Sequence, residues 1–150
     1  MSTTKSEGDR PIVFAAIRFR GDWLEPRRVT EILHTQPTLA YRKGEVYKRD
    51  SRGHAAHGRT GLWLLSTEKR VPSTEVIDHL RYLIGVLFPD GADDRINPLR
   101  HLLRDRHIEA DVLVFWHGEP GQPQPTIPDS IRTTFRRVPA QIEQDFEVAV

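Results

Sequence analysis

Hydrophobic and polar positions along the chain follow two periodicities, one typical of strands and one typical of helices. Residues 12–17 are apolar without a break, which is typical of a strand buried on both faces and therefore placed centrally in a sheet. Shorter apolar runs around Leu64 and at 112–116 predict further buried strands. The predicted strands are 12–19, 38–41 and 45–48 on either side of Gly44 (one bulged strand or two), 60–67, 109–117 and an edge strand within 141–150.

Helical spacing is clearest between Val76 and Phe88, where apolar side chains fall at offsets 0, 1, 4, 7, 8, 11 and 12 and form a broad stripe. Proline at a favoured first position predicts two shorter helices elsewhere. The predicted helices begin at Pro26, follow Pro72-Ser73 as far as Phe88, begin at Asn97, and cover about 128–137.

The predicted order of elements is β-α-β-β-α-α-β-α-β, without tandem βαβ units. This order places the chain in the α+β class, with a ferredoxin-like mixed or antiparallel sheet and helices packed on one face. Trp63 and Trp116 are expected to fill the core. Residues 1–10 are polar and are predicted to be a disordered lead-in, and residues 11–150 are predicted to form a single α+β domain.

Composition narrows the classes of function. A formal charge of +1 over 150 residues provides no overall field that would steer the protein onto nucleic acid or an anionic membrane. The sequence contains no cysteine, so it has no thiolate ligand, thiol nucleophile or disulfide. Because it has neither a secretory signal pattern nor an apolar run of about 20 residues, we expect a cytoplasmic protein with no membrane partner.

Short motifs are spread over residues 19–66. They are Phe19-x-Gly21-Asp22-x-Leu24-x-Pro26, Val29-Thr30-x-Ile32-Leu33, Gln36-Pro37-Thr38, Lys43-Gly44-Glu45 and Gly61-x-Trp63-x-Leu65-Ser66. In this order they resemble a family of small bacterial proteins known as domain of unknown function 4279. The resemblance implies a compact bacterial module of the interaction or immunity type, and it carries over no catalytic residue.

The segment 42–59 concentrates positive charge, and its part at 50–59, rich in Gly, Ser and His, is predicted to be a polar loop. Its cations are Arg42, Lys43, Lys48, Arg49, Arg52 and Arg59, against Glu45 and Asp50. One interpretation is a nucleic-acid surface, in which the cations bind phosphate oxygens while Tyr41 and Tyr47 stack on bases. The other is a solvated loop beside an edge strand whose charges discourage aggregation. The second interpretation is favoured because the whole chain is nearly neutral, so nucleic acid is not an expected partner.

Trp23 lies in a turn outside any apolar run, and we expect it to be partly exposed. With the arginines near it in the sequence, it would form the kind of aromatic and arginine surface that is enriched at protein interfaces. A hydrophobic cap over the end of the next helix explains it equally well. The arginines near Trp23 are Arg18, Arg20, Arg27 and Arg28. Together with the basic segment, this surface gives the full set of candidate binding residues: Trp23, Arg20, Arg27, Arg28, Lys48, Arg49 and Arg52.

Histidine and serine residues form no recognisable catalytic or metal motif. His54 and His57 lie in a Gly-containing and Ala-containing loop, without the HExxH spacing of a helical zinc site. Neither a nucleophile elbow nor a glycine-rich phosphate loop is present. We therefore predict no catalytic residue, no metal and no cofactor.

The leading hypothesis from the sequence is a non-enzymatic module that binds a protein partner through Trp23 and nearby arginines, or through the basic segment 42–59. One alternative is an enzyme whose site is assembled only in three dimensions, around His107 and His117. Another is a nucleic-acid binder that uses 42–59. A deep pocket lined by polar side chains would favour the enzyme.

Overall fold

The structure is a computed structural model that describes residues 12–148, so the predicted lead-in at 1–10 lies outside the described residues. The strands are β1 (Ile12–Gly21), β2 (Leu39–Tyr41), β3 (Val46–Arg49), β4 (Ala55–His57), β5 (Gly61–Ser66), β6 (Glu109–Gly118) and β7 (Gln141–Val148). The helices are α1 (Pro26–Leu33), α2 (Val76–Leu87), α3 (Ile96–Asp105) and α4 (Asp129–Arg136), with a 3-10 turn at Pro89–Gly91. The mixed α+β class is confirmed.

Five strands form one sheet in the order β2-β5-β1-β6-β7. β1 lies at its centre, antiparallel to both β5 and β6, as the unbroken apolar run of 12–17 predicts. β7 joins the far edge parallel to β6, because α4 and its flanking loops carry the chain back to the start of that strand. The predicted mixed sheet and final edge strand are both present.

Within this fold, β1, α1, β2, β5, α2 and β6 follow the element order of the ferredoxin-like motif. The strands β3, β4 and β7 and the helices α3 and α4 are additions to that order. The assignment to the ferredoxin-like fold in particular stays a prediction, as does the single domain over 11–150.

The helices cover one face of the sheet. On β1 this face carries Ala15, Ile17 and Phe19, which are almost fully buried among apolar side chains from all four helices. Trp63 and Trp116 belong to the same core, as the sequence predicts, and are 0% and 3% exposed. Burying this much aromatic and aliphatic surface is the main favourable contribution to folding.

One prediction is wrong: residues 50–59 are not a loop throughout. β4 lies within that segment and pairs antiparallel with β3, so the two strands form a separate hairpin. Asp50 Oδ1 shapes its turn by accepting hydrogen bonds from the backbone N–H groups of Arg52 and His54, at 2.9 and 2.8 Å. Gly53 takes the left-handed conformation there, with φ of 81°. We call residues 46–57 the hairpin.

Within the described range, no helix has the length and apolar character that crossing a bilayer requires.

Candidate functional site

The side of the five-stranded sheet opposite the helices forms what we call the open face. Strand alternation assigns side chains to it, because neighbours across a pair of strands point to the same side. It carries Ile12, Phe14, Ala16, Arg18 and Arg20 from β1, Leu62, Leu64 and Ser66 from β5, Leu39 and Tyr41 from β2, Asp111, Leu113, Phe115 and His117 from β6, and Glu143, Asp145 and Glu147 from β7. None of the four described helices contributes to this side of the sheet.

The middle of the open face is apolar. The rings of Phe14 and Phe115 stack with centroids 4.9 Å apart, and the His117 ring stacks on Phe115 at 4.1 Å. These aromatic side chains are half-buried, while Ile12 at the end of β1 is 48% exposed. A preformed, partly exposed apolar surface of this kind is typical of an interaction site.

A charged network adjoins the apolar centre. Asp111 is 5% exposed and accepts two hydrogen bonds from Arg18, at 2.7 and 2.9 Å, and one from Arg20 at 3.0 Å. The hydrogen bonds to Asp111 raise the pKa of Arg18 above its ordinary value against the opposing effect of burial. The second carboxylate near Arg18 is Glu143, at 3.5 Å. Both guanidinium groups are therefore fixed in place beside the apolar centre.

The β7 edge of the open face is acidic. Glu143, Asp145 and Glu147 alternate along the strand, so all three side chains lie on this side of the sheet. Glu147 Oε2 lies 3.2 Å from His117 Nε2 on the neighbouring strand. His117, Asp145 and Glu147 are the one group of three metal-capable side chains that converges within residues 12–148.

The hairpin adjoins the opposite edge of the open face. Tyr41 of β2 stacks on Tyr47 of β3 with centroids 4.5 Å apart, and burial and this neighbour raise the pKa of Tyr41. The predicted binding residues Lys48, Arg49 and Arg52 lie exposed on the hairpin. The open face is thus bordered by acidic groups on one side and basic groups on the other.

The turn between β1 and α1 holds Trp23, which is 68% exposed, as expected from the sequence. Ion pairs join this turn to the base of the hairpin, where Asp22 lies 3.2 Å from Lys43 and Glu25 lies 3.6 Å from Arg42. The two regions that the sequence proposes for binding are therefore neighbours.

The arginines around Trp23 do not form one cluster. Arg20 lies on the open face with Asp111, whereas Arg27 and Arg28 lie on α1, which packs on the other face of the sheet. Arg27 is solvent-exposed and pairs with Glu31. Sequence proximity groups these residues, but strand alternation separates them.

A cavity of about 530 Å³ lies between α1 and α3. Its polar lining includes Arg28, Asn97, His101, Asp105 and Arg106. Neither His107 nor His117, the residues around which the enzyme hypothesis places a site, lines this cavity. No set of nucleophile, base and orienting group is evident among its described lining residues.

The histidines considered from the sequence are not brought together. His54 Nδ1 lies 3.1 Å from Asp50, while His57 Nδ1 lies 3.0 Å from the carbonyl oxygen of Gly44. His107 precedes β6 and His117 is near its end, so the strand holds them about 26 Å or more apart. The structure thus provides no shared site for these pairs.

Sequence reasoning missed the acidic row on β7 and its proximity to His117. The alternation of Glu143, Asp145 and Glu147 was a signal that one face of the last strand is acidic. The local sequence does not indicate that this last strand pairs in parallel with β6, nor does it indicate the register of that pairing.

Comparison with known proteins gives a family. Neither a curated protein nor a solved structure matches the chain. The family model of DUF4279, a domain of unknown function, matches residues 11–149, which confirms the resemblance found in the motifs. The chain belongs to the DUF4279 family.

Proposed function

We propose that the chain is a non-enzymatic protein-binding module, and that the open face is its docking surface. The observation that supports this most directly is the half-buried apolar centre around the stacked Phe14 and Phe115 rings, on the side of the sheet away from the helix-covered core. Aromatic groups bordered by arginines are enriched at protein interfaces. The fixed guanidinium groups of Arg18 and Arg20 supply that border.

The occupant we propose is a second copy of this chain. The acidic row lies at the β7 edge of the open face and the basic hairpin adjoins the β2 edge. A two-fold axis between two open faces, parallel to the strands, places the β7 edge of each copy against the β2 edge of the other. The apolar centre of one copy then contacts the apolar centre of the other, and the acidic edge of each copy contacts the basic edge of its partner. Such a self-complementary arrangement is what an isologous interface requires.

The size of the open face is sufficient for such a pairing. At about 3.3 Å per residue and about 4.8 Å between strands, the five strands cover roughly 600 Å² per copy. Two copies would bury roughly 1,200 Å², which is at the lower end for a stable, specific interface. The expected dimer is therefore concentration-dependent.

Sedimentation velocity over a wide range of protein concentration tests the proposal. We expect a monomer–dimer equilibrium for the wild type that shifts to monomer in Phe115→Asp, because a charge is then buried against the apolar centre of the partner. Ile12→Asp should act in the same direction with less effect on the fold, since Ile12 is already 48% exposed. Circular dichroism checks that both variants remain folded.

Trp23→Asp is the matched control, because Trp23 is an exposed aromatic residue outside the open face. It should leave the dimer intact. If Trp23→Asp abolishes self-association while Ile12→Asp does not, the docking surface is the β1–α1 turn instead. A wild type that stays monomeric at every concentration overturns the proposal.

A further inference from the structure

We propose that His117, Asp145 and Glu147 form a binding site for a divalent transition-metal cation, with Zn²⁺ as the best match. One imidazole nitrogen and two carboxylates are ligands that Zn²⁺ accepts readily. Mg²⁺ takes oxygen ligands and keeps much of its water, so an imidazole ligand disfavours it. The site lies at the β7 border of the open face, and the argument for it does not depend on dimer formation.

The parallel pairing of β6 with β7 brings the three side chains together. His117 lies directly opposite Glu147 in the register, and Asp145 is two residues earlier on the same face of β7. The candidate ligand atoms all lie within 4.8 Å of one another. Two adjacent strands therefore supply three candidate ligand atoms to one compact group.

The His117 ring is already positioned for a ligand. Stacking on Phe115, with ring centroids 4.1 Å apart, fixes the plane of the imidazole. Its Nε2 atom is shielded from solvent and makes no hydrogen bond within the described residues, although Glu147 Oε2 is only 3.2 Å away. The carboxylate oxygen is thus close to Nε2 but off the direction in which a ring nitrogen bonds. A buried, unpartnered nitrogen is costly unless a ligand occupies that direction.

The charges around the ring also favour a cation. Among the residues that the structure describes, Glu143 on β7 has Arg18 as its cationic partner, whereas Asp145 has no such partner. Asp145 and Glu147 are on the same face of one strand, so their negative charges repel each other. A divalent cation between them would neutralise both, so bound Zn²⁺ is expected to weaken the attraction between this edge and the basic hairpin.

A modest adjustment completes the coordination geometry. Ligand atoms at Zn²⁺ distances of about 2.0–2.2 Å in a tetrahedron are roughly 3.4 Å from one another. Asp145 and Glu147 are exposed and can reach this spacing by rotating their side chains, while the stacked imidazole stays in place. Zn²⁺ commonly takes four ligands, so water would complete the set.

Isothermal titration of metal-free protein with Zn²⁺, and separately with Mg²⁺, tests the site. We expect one Zn²⁺ per chain and no saturable Mg²⁺ binding. Asp145→Asn, Glu147→Gln and His117→Phe should each weaken Zn²⁺ binding by more than about tenfold, since each removes a ligand. His117→Phe keeps an aromatic ring stacked on Phe115.

Two control variants separate this site from other surface groups. Glu143→Gln changes a carboxylate on the same strand and face that is outside the group. His54→Ala removes the exposed histidine that lies 3.1 Å from Asp50. Both controls should bind Zn²⁺ like the wild type, and Zn²⁺ should raise their Tm as it does that of the wild type.

Two outcomes overturn the proposal: unchanged Zn²⁺ affinity in the three ligand variants, or loss of binding in His54→Ala. Leu39→Asp changes an exposed residue of the open face at the edge opposite β7, so it should disrupt docking and retain full Zn²⁺ binding. This last measurement distinguishes failure of the metal site from failure of the docking surface.

Discussion

At the scale of single residues, Thr67 and His79 form a buried hydrogen-bonded link between the central strand and α2. Thr67 Oγ1 accepts the backbone N–H of Ala15 at 2.9 Å and lies 2.6 Å from His79 Nδ1. The other ring nitrogen, Nε2, lies 2.6 Å from the carbonyl oxygen of Ser73. A carbonyl oxygen only accepts, so Nε2 carries a proton, and in the neutral imidazole Nδ1 then accepts a hydrogen bond from the Thr67 hydroxyl. Each polar atom in this link thereby has a partner.

Thr67→Val should destabilise the protein by about 1–3 kcal/mol, because it leaves the Ala15 N–H and His79 Nδ1 buried without partners while preserving side-chain shape. Urea denaturation followed by far-ultraviolet circular dichroism measures the loss. Thr133→Val is the matched control: Thr133 is exposed on α4, so its change should stay within about 0.5 kcal/mol. Equal losses in the two variants would contradict the structural role of Thr67.

The identity of a residue predicts whether its side chain is buried better than it predicts which residue that side chain contacts. The core positions of Trp63 and Trp116 follow from the apolar runs that contain them and are confirmed. The contact of Arg18 with Asp111 joins residues 93 positions apart, so it depends on strand order and register, which local patterns do not encode. For the same reason Arg20 was grouped with Trp23, although strand alternation turns it toward Asp111.

At the scale of elements, the base of the hairpin is held to the β1–α1 turn by charge and hydrogen bonding. The pKa of Asp22 lies below its ordinary value, mainly because its carboxylate is hydrogen-bonded to the hydroxyl of Thr60, just before β5. Lys43, at 3.2 Å, lowers it further. Since the folded-state pKa is lowered, these contacts support folding above the ordinary pKa and are lost as the pH falls through the lowered value.

Carboxyl ¹³C NMR titration can follow Asp22 directly. Its pKa should rise in Lys43→Met, which removes the cation, and rise further in Thr60→Val, which removes the larger cause. Lys69→Met serves as the control, because Lys69 is an exposed lysine outside the hairpin and the turn. If the Asp22 titration is the same in all four proteins, the hairpin is not anchored in this way.

Most elements could be predicted because each has its own strong pattern. The apolar stripe between Val76 and Phe88 predicts α2, and the unbroken run at 12–17 predicts a central β1. β4 was missed because a three-residue strand has too few positions to show alternation, and its surroundings are rich in turn residues. Short elements held by a turn and a partner strand carry little signal of their own.

At the scale of the whole molecule, covering only one face of the sheet leaves the other face available for function. The sequence predicts this layered arrangement, because the predicted helices have an apolar side and a polar side and no tandem βαβ units are present. It does not predict which side of each strand is the uncovered one. The open face, the acidic row and the predicted partner contacts therefore become visible only when the strands are placed in register.

The shared core makes a definite prediction about cooperativity. Residues from α1 to α4 and from the central strands pack together, so the predicted single domain should unfold in one transition, detected equally by Trp fluorescence and far-ultraviolet circular dichroism. Leu80→Ala, at a fully buried position on α2, should lower the free energy of unfolding by about 2–5 kcal/mol and shift both signals together. The matched Leu39→Ala, at a 37% exposed position on β2, should cost far less. Two separate transitions, or a loss at Leu80 no greater than at Leu39, would mean that the helices and the sheet do not share one interior.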